Sequence, residues 1–151
     1  MFITLEFLRG GKGGTLNEAC EEAQEWFANR FPAGAEIEDV VADCPNNRLD
    51  WIVWLAFNAK AMTEQIRSLV EAMLADHADE NNDHMTSARQ RYASAMARKN
   101  HPAWVAKRAF MAVLFIVDLH PYEKNRCRNW AANMLGCSVV YMPLDWEVLD
   151  I

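Results

Sequence analysis

The residues best suited to chemistry lie first in the polar stretch His77–His84, HADENNDH. Imidazole and carboxylate groups together suit transition ions. His77, Asp79, Asp83 and His84 are thus the residues from which a small metal-dependent enzyme would be built. A seven-residue gap between the histidines is an unspecific ligand spacing, and the plainer reading is a solvated loop between two helices. Asp79, Asn81 and Asp83 also imitate the first ligands of a calcium loop. His84 then stands where the sharp turn needs Gly, and Gln90 where a bidentate Glu is needed.

Nucleophilic catalysis would need a Ser or Cys with a base beside it. Cys127 follows His120 by seven residues and Asp118 is near in sequence, but nothing resembles a nucleophile elbow. The expected reading is a histidine at a helix end and a core thiol. The glycine-rich stretch Gly10–Thr15, GGKGGT, lacks the phosphate-loop spacing, because Gly13 rather than Ser or Thr follows Lys12. It reads as a hinge. No pair of carboxylates sits in an apolar context suited to acid–base work. A non-enzymatic protein is expected, with no cofactor and no metal.

Charge is the most informative functional feature. The net charge is −6, but the two signs are segregated. Between Thr15 and Asp50, nine acidic residues face only Arg30 and Arg48, a net of −7. Between Thr86 and Arg128, nine basic residues face only Asp118 and Glu123, a net of +7. Glu18, Glu21, Glu22, Glu25, Glu36, Glu38 and Asp39 are the candidate contacts for a partner protein. Carboxylates fixed on helices offer negative charge at little conformational cost. Trp146, in the tail beside Asp145, is a candidate anchor of the kind that dominates interfaces. The alternative is nucleic-acid binding by a stripe of Arg89, Arg91, Arg98, Lys99, Lys107 and Arg108, which would neutralise phosphates. Overall acidity opposes that alternative. Both charged faces also have an ordinary reading as solvated helix surface.

These residues must be positioned by helices. Leu49–Asn58, LDWIVWLAFN, has no polar face and predicts a helix buried among others. Thr4 predicts a cap for a short helix Leu5–Arg9, with a strand over Phe2–Leu8 as the alternative. Thr15-Leu16-Asn17-Glu18 has the form of a capping box opening a helix that Pro32 and Gly34 end. Apolar spacing predicts a short helix over Ile37–Cys44 and a longer one over Met62–Asp76. Thr86 or Ser87 would cap a helix over about Ala88–Lys99. Pro102 opens a helix that becomes wholly apolar over Ala109–Val117, and Pro121 opens a last helix closed by Gly136. The tail, 137–151, reads as extended or as a short strand. Seven or eight helices with short connections imply a single all-α domain over 1–151.

At 151 residues the chain is long enough to fold without disulfides, and Cys20, Cys44, Cys127 and Cys137 read as reduced thiols. No apolar run approaches the ~20 residues of a membrane span. The N-terminus lacks the marks of a signal peptide, so a cytoplasmic location is expected.

Three blocks, ITLEFL (Ile3–Leu8), EWFANRFPAGAEIEDV (Glu25–Val40) and RLDWIVWL (Arg48–Leu55), together resemble an N-terminal helical module of uncharacterised phage and bacterial proteins. The resemblance spans about residues 3–57 and places no catalytic residue. It implies a phage or mobile-element accessory protein. With the acidic segment, it points to a protein-binding inhibitor of host nucleic-acid-targeting defence, such as an anti-CRISPR protein.

Overall fold

The computed structural model describes residues 1–10 and 17–137. The described residues form eight helices and one two-stranded sheet, an all-α fold. Strand β1 (Phe2–Ile3) runs antiparallel to β2 (Ala35–Glu36), with Phe2 opposite Glu36 and Ile3 opposite Ala35. Both N-terminal expectations are therefore met in part. The strand covers Phe2–Ile3, and helix α1 (Leu5–Leu8) begins at Thr4, whose hydroxyl accepts from the Phe7 amide.

Helix α2 (Glu21–Arg30) starts later than the capping-box pattern predicts. Residues 17–20 are not helical, and Cys20 occupies the cap position without a side-chain bond. Gln24 instead reaches back to the Ala19 carbonyl at 2.7 Å and to Glu18 at 3.3 Å. Helix α3 (Ile37–Asp43) follows β2, and α4 (Leu49–Ala59) is the expected tryptophan helix.

Helices α5 (Thr63–Asp76), α6 (Asp83–Ala97), α7 (Pro102–Leu119) and α8 (Glu123–Leu135) complete the body. Helix α7 packs against α4, α5, α6 and α8 and is the centre of the fold. Its contact with α6 is the most extensive, because small residues allow close approach. Ala88 and Ala95 on α6 and Ala106, Ala109 and Ala112 on α7 are all buried. The apolar run of α7 is not buried all round, however. Leu114 is exposed, and Phe110, Met111 and Phe115 are half-buried on its outer side.

Helix α6 also begins earlier than predicted. Asn82 is its cap, accepting from the Met85 amide at 2.9 Å, so Thr86 and Ser87 lie inside the helix. Pro102 sits at the start of α7, and Gly136 ends α8 in the left-handed conformation. Pro121 does not open α8: it lies in the turn before the helix, which Tyr122 caps and Glu123 begins.

Gly34 is required for two reasons. Its φ is +85°, and a Cβ there would lie 2.5 Å from the Phe2 ring and 2.7 Å from the Ile3 carbonyl oxygen. Gly136 has φ of +69° but open space around it. Gly34→Ala is therefore expected to cost about 2–3 kcal/mol and Gly136→Ala about 1 kcal/mol. Urea unfolding of the two variants checks this; equal losses would mean that the Phe2–Ile3 strand yields freely.

Helices α5 and α6 are also tied by Tyr92, whose hydroxyl donates to Glu71 at 2.5 Å, while Arg67 donates to the same carboxylate at 3.0 Å. Burial, then the bond to Glu71, raises the Tyr92 hydroxyl above its ordinary value of 10.0. The folded state thus favours the neutral phenol. That stability is complete below about pH 10 and is lost as pH rises beyond it. Tyr92→Phe is expected to flatten this alkaline decline in urea melts taken from about pH 8 to 11, and to cost about 1 kcal/mol at neutral pH. An unchanged alkaline slope would refute the assignment.

Candidate functional site

The expected partner-binding carboxylates are all exposed. Glu18 precedes α2, and Glu21, Glu22 and Glu25 lie on it. Glu36, Glu38 and Asp39 surround the start of α3. Glu21, Glu22, Glu38 and Asp39 stand in first helical turns, where negative charge is favoured by the helix dipole. Their ion pairs are local rather than with the later basic helices. Arg48 donates to Glu22 at 2.7 Å and to Asp50 at 3.0 Å, Arg30 pairs with Asp43, and Glu36 meets the N-terminal amine at 3.4 Å. Trp146 lies outside the described residues.

Helices α2 and α3 also wall a surface groove that the sequence does not reveal. It encloses about 200 Å³ and is lined by Trp26, Trp51 and Trp54 with Phe27, Val40 and Leu114. Trp51 and Trp54 are thus half-buried groove walls, not the fully buried core that the absence of a polar face on α4 predicts. The core positions of α4 are Leu49, Ile52, Val53, Leu55, Ala56 and Phe57. Trp26 packs on Phe31 and on Trp51, with centroids 5.8 and 5.7 Å apart. The Arg48 guanidinium lies 4.2 Å from the Trp51 ring while it pairs with Glu22. Arg48 therefore joins the groove to the acidic face of α2.

The basic residues do not form one stripe. Arg89 donates to the carbonyl oxygens of His77 and Ala78, at 2.9 and 3.5 Å, and so caps the end of α5. Arg91 lies over Phe115. Arg98 and Arg108 both lie on Trp104, 4.5 and 4.6 Å from its centroid, and Trp104 donates to the Ser94 carbonyl at 2.8 Å. Arg98, Lys99, Lys107 and Arg108 remain as a smaller patch near the α6–α7 turn, where Lys99 and Lys107 are exposed.

The polar stretch after α5 is rearranged more deeply. His77, Asp79, Asp83 and His84 do not converge. Asp79 and Asp83 are exposed, and His84 pairs with Asp118 of α7 at 2.7 Å. The early start of α6 at Asp83 causes this, since it puts His84 on a helix facing α7. His77, at the end of α5, instead turns inward and is 4% exposed. Its ring stacks on His120, with centroids 3.9 Å apart and planes 9° apart. Glu80 bridges the pair, 2.8 Å from His77 Nδ1 and 2.6 Å from His120 Nε2. Behind it, Glu123 is 2% exposed; its Oε2 lies 3.3 Å from His77 Nε2 and its Oε1 3.3 Å from Arg126. Burial works to raise the Glu80 carboxyl, but the bonds to His120 and His77 outweigh it and hold the group below its ordinary value. Of this cluster only His77 belongs to the set His77, Asp79, Asp83 and His84 of the metal-dependent alternative.

Cys127 is not a nucleophile facing His120. Burial pushes its thiol up to about 12, and likewise that of Cys44, which marks both as inert core thiols.

The fold and these surfaces define a helical protein with an apolar, acid-bordered groove and a separate histidine–carboxylate cluster. No helix among the described residues is long and apolar enough to cross a membrane. No protein-family model, curated protein or solved structure matches the chain.

Proposed function

We propose that this is a non-enzymatic protein that binds a partner protein through the tryptophan groove and the carboxylates of α2 and α3. The carrying observation is the position of Trp26, Trp51 and Trp54 in one open groove, joined by Arg48 to exposed Glu22. Large aromatic side chains in a groove supply binding energy, and a charged border supplies orientation and rate. The matching occupant is a basic segment of a protein that presents an apolar anchor. The resemblance of residues 3–57 to a phage module extends the proposal. The chain would be a phage or mobile-element accessory protein that occupies a basic surface of a host nucleic-acid-targeting defence complex, as an anti-CRISPR protein does.

The test is affinity capture from a host carrying such a defence system. Wild type is compared with an E21K/E22K/E25K variant and with W54A, and interference is measured in the same host. One captured complex, lost in both variants together with the inhibition, is expected. Equal capture by all three proteins overturns the reading. A nucleic-acid reading draws on Arg98 and Arg108 stacked on Trp104. It is weakened because Arg89 and Arg91 are engaged within the fold. A gel shift at low salt decides it, and no shift removes it.

A further inference from the structure

We propose that His77, Glu80 and His120 bind one divalent transition ion of the zinc class, clamping the turn between α5 and α6 to the turn between α7 and α8. This site is independent of the groove. One donor atom from each residue can be chosen so that all lie within 4.8 Å of one another. Zinc held at about 2.0–2.1 Å separates tetrahedral ligands by roughly 3.3 Å. Glu80 already stands closer than that to both rings, but the rings are stacked nearly parallel, so the His120 ring must turn out of the stack to aim its lone pair at an ion shared with His77 and Glu80.

The disposition of nitrogens favours an ion. Both ring nitrogens of His77 face carboxylates, Nδ1 toward Glu80 and Nε2 toward Glu123, and the Tyr122 hydroxyl also lies 3.3 Å from Nε2. A neutral imidazole donates from only one nitrogen. If Nε2–H donates to Glu123, the Nδ1 lone pair is aimed at Glu80 oxygen. At His120, stacked 3.9 Å away, only Nε2 meets a carboxylate, the other Glu80 oxygen, and a neutral Nε2–H tautomer satisfies it, so the conflict lies at His77 alone. One divalent ion among His77 Nδ1, Glu80 and His120 Nε2 accepts all three lone pairs at once. Glu123 is then the buried carboxylate that orients a metal-bound histidine through its other nitrogen. Glu123 is itself held by Arg126, and the His77 carbonyl by Arg89.

The surroundings match a site rather than a chance encounter of surface groups. His77 and Glu123 are buried, while His120 and Glu80 are part-exposed, 18% and 32%, which gives the ion an entry path. Imidazole and carboxylate donors suit zinc and its first-row neighbours rather than calcium or magnesium. Three protein ligands leave a fourth position for water.

The experiment uses the full chain without an affinity tag, stripped with chelator and titrated with zinc sulfate by calorimetry. Thermal melts and elemental analysis follow. One equivalent of zinc and a rise in Tm are expected. H120A and E80Q, which change part-exposed side chains, are expected to stay folded and lose at least tenfold in zinc affinity. H84A and H101A should bind as wild type does. E123Q should keep one equivalent but weaken it about 10–100-fold. Cobalt substitution should give the visible absorption of a tetrahedral site in wild type and not in H120A. Absence of stoichiometric binding to wild type, or undiminished affinity in folded H120A, overturns the site. Undiminished affinity in E123Q overturns the assignment of Nδ1 as the ligand atom.

Discussion

Phe57→Ala is expected to destabilise the protein by about 3–5 kcal/mol, one of the largest losses a single side chain of this chain can produce. Phe57 is buried on α4, where that helix meets α7 and α8. Its ring packs edge-on to Phe110 of α7 at 5.7 Å and tilted to Trp130 of α8 at 4.9 Å. Removing it leaves a cavity bounded by two rings on two different helices. Neither ring can close the gap without moving the helix that carries it. The cost therefore combines lost transfer energy with an unfilled void. Total stability of a domain this size is of order 5–15 kcal/mol, so the variant sits near the edge of folding. Tm should fall by roughly 6–20 °C, as scanned by calorimetry or circular dichroism. Phe110→Ala should cost less, because Phe110 is only half-buried beside the groove. A loss under about 1 kcal/mol for Phe57→Ala would mean that α4 does not pack between α7 and α8 as described.

Much of this core was legible in the sequence, and the reasons separate cleanly. Helices announce themselves through local signals: the Thr4 cap, Pro102 at the head of α7, Gly136 at the foot of α8 and the spacing of Ile66, Leu69, Val70 and Met73. Each involves residues a turn or two apart. The failures involve longer reach or competing signals. Asn82 caps α6 from within a run of polar residues that reads equally well as loop. Thr15 and Leu16 of the capping-box pattern lie outside the described residues, but residues 17–20 after them are not helical, and Gln24 of α2 bonds the Ala19 carbonyl. Trp51 and Trp54 lie on a helix with no polar face, so periodicity alone cannot say which side meets solvent. The groove exists because α2 and α3 cover that side only in part.

The candidate site was the least legible part. His77 and His120 are 43 positions apart in numbering and meet only because two interhelical turns are brought together. Charge spacing could not show that the basic stripe would be divided, with Arg89 spent on the carbonyls that end α5. Nor does anything in the string EKNRC mark Glu123 as buried; a Glu at the head of a helix is ordinarily a solvated, dipole-favoured residue.

That buried carboxylate carries the second large effect. Glu123 lies between His77 and Arg126, and Arg126 also binds Asp76. Arg126→Met removes one partner and leaves a carboxylate with almost no solvent to turn to. For a fully buried pair such a break costs about 3–5 kcal/mol. Arg126 is 34% exposed, so screening reduces the expected loss to about 2–3 kcal/mol. Glu123→Gln keeps the shape, drops the charge and leaves Arg126 its bond to Asp76, so about 1–2 kcal/mol is expected. The double variant should lose less than the sum of the two by about 1–2 kcal/mol, because the second change removes the charge that the first left stranded. Urea unfolding in the presence of chelator isolates this coupling from any effect of zinc. Losses that add to within about 0.5 kcal/mol would show that Arg126 acts through Asp76 alone. Glu123 would then be oriented only by His77, and the histidine cluster would have to hold its inner carboxylate without help from α8's own arginine.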